Sequence, residues 1–195
     1  MAPLNLPQIS FAFASAAVLT VGLAACGSPD GNTPQAASGT GSTDESASGD
    51  SGGDAVLNMP RLSVEAATEA AEAALAQCQS DDLPFVSVAV VDRFGQVQAM
   101  LRGANAAEHT MESARLKAYT SASFGSNTSE LTEAATGDGP TISDLPGTLF
   151  LGGGVSIKVD GASIAGIGVG GAPQGSLDEA CAQAGLDAIA DSLRN

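Results

Sequence analysis

The sequence predicts an α+β fold: a single domain with an antiparallel sheet made of two hairpins and with the terminal helices packed on one face. Three observations predict it. Helical periodicity opens and closes the region from Met59 to Asn195, two pairs of short β-branched runs fold back through turn residues, and a further helical stretch lies between the two pairs.

Each element follows from period and punctuation. Ser63 can cap a first helix running to about Gln79, with Glu65 near its positive end and Val64, Ala67, Ala71, Leu75 and Cys78 along one face. Pro84 ends the connection. Phe85 to Val91 reads as a strand, and Asp92-Arg-Phe-Gly95 turns it into a second strand over Gln96 to Arg102. Thr110 can cap a second helix through Phe124, on which Met111, Ala114, Ala118 and Ser121 share a side. A short helix is expected over Ser126 to Ala135, followed by an irregular stretch from Pro140 to Leu151.

Gly152-Gly-Gly154 opens the second hairpin, whose strands Val155 to Val159 and Ser163 to Val169 flank Asp160-Gly161, a dipeptide suited to positive φ. Gly166, Gly168 and Gly170 alternate with Ile167 and Val169, leaving one strand face without side chains, open to another backbone or to a flat ligand. The last helix is expected from a capping box, Ser176-Leu-Asp-Glu179, with Ala182, Leu186, Ile189 and Leu193 marking its apolar face.

The chain ahead of this domain has a different character. Ile9 to Leu23 is apolar over the length of a signal-peptide core and short for a membrane span, although residues 1–8 lack the basic residues usual there. Leu23-Ala24-Ala25-Cys26-Gly27 looks like a bacterial lipobox, which makes Cys26 the expected lipidation site. Residues 27–55 are rich in Gly, Ser, Thr, Asp and Ala and carry acids without a base, a composition that cannot offset the entropy of ordering. The expected organisation is a lipoprotein signal peptide over 1–25, a lipid-anchored flexible acidic linker over 26–58 with a span on the order of 30 Å, and the folded domain over 59–195. The protein is thus expected on the extracytoplasmic face of the cell membrane.

Charge narrows the partners. A net charge of −15 with no basic cluster argues against nucleic acid, because neutralising phosphates supplies most of that affinity. Adsorption to an anionic membrane surface is disfavoured as well, so attachment falls to the covalent anchor. One histidine in the chain excludes His-rich zinc sites, and Gly152-Gly-Gly154 precedes a strand rather than the helix a phosphate loop needs.

Four segments carry a family resemblance. VSVAVVDRFGQVQAMLRG at 86–103, HTMESARLKAYTSASFG at 109–125, LGGGVSIKVDGASIAGIGVGGAP at 151–173 and LDEACAQAG at 177–185 resemble the GlcG/HbpS family of haem-degrading-domain proteins. The resemblance implies a profilin-like or PAS-like domain, assembly into a homo-oligomer, haem or another tetrapyrrole as cofactor in some members, and a membrane sensor protein as partner of others. The chain departs from the family pattern at Ser126-Asn127, where many relatives have a basic residue and proline, and at the acidic Glu108 before the histidine.

In a haem-binding reading, His109 is the metal ligand, and Arg102, Arg115 and Lys117 are the cations for propionates. Thr110 is a further contact, and Met100, Met111 and Tyr119 are alternative axial donors. The plainer reading makes His109 a solvated side chain, the cations surface or intersubunit pairs, and the other residues core. Three functions are then open: a haem-binding or redox-sensing accessory protein, an enzyme acting on haem or another small molecule, and a ligand-free oligomeric scaffold for a membrane partner. With Cys26 taken by lipid, Cys78 and Cys181 either form one disulfide or remain two thiols.

Overall fold

The computed structural model describes residues 57–194. The signal segment, Cys26 and most of the linker lie outside the described residues. In chain order the elements are α1 (Val64–Ser80), β1 (Ser87–Asp92), β2 (Val97–Arg102), α2 (Glu108–Phe124), β3 (Gly154–Val159), β4 (Ala162–Gly170) and α3 (Gly175–Ile189). The four strands form one antiparallel sheet in the order β2-β1-β4-β3. Helices α1 and α3 pack together on one face, over Val88, Val90, Ile157, Ile167 and Val169, while α2 covers the other. The expected α+β class and the placement of the terminal helices on one face both hold.

Local chemistry explains most element ends. The Ser63 hydroxyl accepts from the Ala66 amide at 3.2 Å and caps α1. Ala67, Ala70, Ala71, Ala74 and Cys78 are buried, whereas Val64, expected on the same stripe, is exposed beside the cap. At the β1–β2 turn, buried Asp92 accepts the amides of Phe94 and Gln96, each at 2.9 Å, and takes the Arg61 guanidinium on its other oxygen at 2.9 Å. Asp160 and Gly161 have φ of 51° and 78°, the two left-handed residues of the expected tight turn.

Three local expectations are corrected. Thr110 does not cap α2: the helix starts three residues earlier, after Ala107, no side chain caps it, and the Thr110 hydroxyl instead donates to the Ala107 carbonyl at 2.7 Å. The capping box at Ser176 is not formed. Helix α3 begins at Gly175 after Gln174, and Glu179 reaches out of the helix to Ser129 and the Gly153 amide. Residues 128–135 form turns rather than a helix, because this segment is used to bind the outer edge of β3. There Asn127 Oδ1 accepts from the Ser156 amide at 3.3 Å, Thr128 Oγ1 accepts from the Gly154 amide at 2.8 Å, and the Thr128 amide donates to the Gly154 carbonyl at 2.9 Å.

The glycine face of β4 receives a backbone, not a flat ligand. A Cβ on Gly168 would stand 2.0 Å from the Ala114 carbonyl, and one on Gly166 would stand 2.3 Å from that of Ala118. On the opposite face Gly185 of α3 lets α1 approach, since a Cβ there would meet the Ala70 carbonyl at 2.5 Å. Cys78 and Cys181, both fully buried, are joined by a disulfide across these two helices.

Two outcomes follow. Gly168→Ala should destabilise the domain by about 3 kcal/mol, the scale of a core forced to accept an extra carbon against backbone; a urea midpoint equal to that of the parent would show that α2 does not rest on bare backbone. Reducing the disulfide, which links residues 103 apart, should lower stability by roughly 4 kcal/mol through the larger entropy of the unfolded chain. Denaturation with and without reductant, with thiols counted by alkylation, measures it.

Candidate functional site

Of the candidate residues between 100 and 119, His109 and Thr110 lie in the first turn of α2 and Arg102 ends β2, and Ser87 links the two elements. Ser87 is the cross-strand partner of Arg102, and its buried hydroxyl meets that of Thr110 at 2.7 Å. One hydroxyl pair thus ties the start of β1, and through the ladder the end of β2, to the first turn of α2. His109 and Arg102 are both exposed at this end of the sheet. Because α2 lacks a side-chain cap, the amides of Glu108 and His109 are left at the positive end of the helix dipole, while the Thr110 amide donates to the Ala107 carbonyl at 3.1 Å. Ser87 drew no attention in the sequence, where it reads as one polar residue in an apolar run.

The remaining candidates separate. His109 and Arg115 are six residues apart, so at 3.6 residues per turn they leave the helix about 120° apart and face different ways. Arg115 is held by Glu112 in a two-pronged pair at 2.7 and 2.9 Å, which raises the guanidinium's pKa and lowers the carboxyl's. Met100 and Tyr119 pack half-buried against Ala89, Val91, Ala114 and Ala118, and the Tyr119 ring lies against Gly95 of the β1–β2 turn. They serve the core on this face. Met111 is half-buried and Thr110 is buried with both hydroxyl contacts internal.

Lys117 is not a surface cation. It is buried, and its ammonium donates to Asp178 at 2.7 Å and to the Val169 carbonyl at 3.0 Å, bridging α2, β4 and α3 past the end of the sheet. Burial pushes the Asp178 carboxyl above the usual carboxylate range, opposed by the Lys117 ammonium and by the Ala172 and Gly171 amides. The partner could not have been paired from sequence, since Asp178 lies 61 positions away inside an apparent helix cap.

The clefts of the described surface lie elsewhere. One of about 210 Å³ sits between Asp82–Phe85 and Gly171–Pro173, and one of about 340 Å³ between the 132–136 turn and Thr148–Leu151. Neither includes His109. Among the described residues no group of three or more His, Cys, Asp or Glu could hold a metal ion, and no helix is long and apolar enough to cross a membrane. What the α2 start offers chemically is one imidazole, one free guanidinium and the Glu108 and His109 amides: a donor for a metal already held in a ligand, beside groups that attract carboxylate.

Comparison with known proteins identifies the family. A family model described as haem degrading protein HbpS-like matches residues 62–187. No curated protein matches the chain. Among solved structures, a crystal structure of HbpS is 46% identical, with 69% of this chain and 94% of that one covered and a TM-score of 0.66. A double mutant of Streptomyces reticuli HbpS is 42% identical over 77% of this chain and 99% of that one, also at 0.66. A crystal structure of a PduOC–heme complex is 28% identical, covering 67% and 96%, with a TM-score of 0.61. With the family model spanning both hairpins, the first two helices and all but the last two residues of α3, the chain belongs to the HbpS-like family.

Proposed function

We propose that the protein is an exported, lipid-anchored haem- or tetrapyrrole-binding protein, acting as a homo-oligomeric accessory to a membrane sensor that reports haem or redox state. The observation that carries the reading is the pairing of exposed His109 with exposed Arg102 at the uncapped start of α2, in a chain of the HbpS-like family. A structural neighbour in complex with heme supports the ligand class. Family and fold set the expectation; these side chains decide whether they suit it.

They suit it in two respects. The His109 imidazole would hold the iron through a ring nitrogen, standing clear of the core, and Arg102 would pair with a propionate. Lys117 is committed to Asp178 and Arg115 to Glu112, so Arg102 is the cation left for the anionic edge. When bound, haem would supply a redox-active iron. A second reading is suggested by the family description itself, in which bound haem is degraded; that would require an added electron donor and would appear as loss of the Soret band with a new product.

The export part of the reading rests on two cysteine observations. The Cys78–Cys181 disulfide is of a kind that persists in oxidising compartments, and the lipobox-like sequence supplies Cys26 as the lipid acceptor. On this reading residues 1–25 are removed, 26–58 tether, and 59–195 bind.

His109→Ala should weaken haem binding about tenfold or more, equivalent to ~1.4 kcal/mol, and move the Soret maximum, while thermal unfolding stays within about 0.5 kcal/mol of the parent because the side chain is exposed. An unchanged spectrum and affinity would remove His109 as ligand, and no saturable binding by the parent would remove haem. Separately, Cys26→Ser should shift the protein out of the membrane fraction, and mass spectrometry of the parent should find a lipidated Cys26 at the mature N-terminus. Any other mature terminus overturns the anchor.

A further inference from the structure

The two edges of the sheet are treated differently. The outer edge of β3 is closed by the Asn127 and Thr128 side chains and the Thr128 backbone. The outer edge of β2 is bare: among the described residues no hydrogen bond beyond the β1 ladder reaches the backbone of Val97–Arg102. An open edge strand is a template for another strand, and proteins that keep it single place lysine, proline or inward charge along it. Between Val97 and Leu101 this strand has none of these, and Val97 and the adjoining Phe94 are 44% and 58% exposed.

We propose that two copies of this chain pair antiparallel through their β2 edges, joining the two sheets into one across a twofold axis. The occupant follows from charge. In a chain of net charge −15, a second copy is repelled wherever carboxylates crowd, yet Arg93 to Ala107 contains no acid. Arg93 stands at one end of this edge and Glu108 just beyond the other, and among the described residues neither has an ion-pair partner. Antiparallel twofold pairing carries the partner subunit's Arg93 towards Glu108, and the reverse, so both ends become complementary at once. The chain's own linker is a poor alternative occupant, being acidic, Gly- and Ser-rich and low in strand formers.

This pairing rests on the homo-oligomeric reading above and specifies its interface. The test uses the full chain with Cys26→Ser, so that neither lipid nor an intermolecular disulfide links copies, with mass measured by light scattering after size exclusion. The parent should be a dimer or an even multiple of one. Val97→Lys, at an exposed position, should halve the mass with an unchanged circular dichroism spectrum. Arg93→Glu should weaken association, and adding Glu108→Arg to it should restore association. A monomeric parent overturns the homo-oligomeric reading together with the pairing. An oligomeric parent whose mass is untouched by Val97→Lys overturns the pairing alone.

Discussion

Helix α2 reaches the sheet at backbone distance because every second residue of the facing strand is glycine, and the rest of the domain depends on that approach. With Gly166, Gly168 and Gly170 beneath it, the helix needs only Ala114, Ala118 and Ser121 on its inner face. No large side chain separates the helix from β4 at these three glycines. The helix is thereby lowered far enough for the Thr110 hydroxyl to meet Ser87, and for Lys117 to pass the end of the sheet to Asp178. A layer built on small residues loses little side-chain entropy on folding, which suits a chain without tryptophan.

The buried Lys117–Asp178 pair is a consequence of the same geometry. Two opposite charges withdrawn from water are stabilising only where their geometry and remaining hydrogen bonds are good, and here the Val169 carbonyl gives the ammonium a second acceptor while the Ala172 amide donates to the second carboxylate oxygen. The pair joins the helix on one face to the last helix on the other. It therefore ties α2 to β4 and α3 from the interior.

Much of this fold was legible because its signals are local. Ser63 and the Asp160-Gly161 turn act through their own neighbours, and the alternation of glycine along β4 could only mean a bare face. The failures share a cause. Thr110, Ser176 and the Ser126–Ala135 segment all had the right local chemistry for a cap or a helix, and in each a contact distant in sequence engages the groups concerned: Ser87 at Thr110, Ser129 and the Gly153 amide at the Glu179 half of the Ser176 box, the outer edge of β3 at the segment. At the candidate site the positions of His109 and Arg102 were readable, since both lie at element ends. The loss of Lys117 to the interior was not, because a lysine's partner across 61 residues leaves no trace in periodicity.

The disulfide between the first and last helices also decides what a single cut in the chain can do. Every loop of the domain, including the irregular stretch from Thr128 to Leu151, lies between Cys78 and Cys181 apart from the short turns at its two ends. A protease that nicks one of those loops once would therefore cut the chain without releasing a fragment. The halves would remain one covalent molecule, each still laid against the sheet, and the wound would be silent until a reductant arrived.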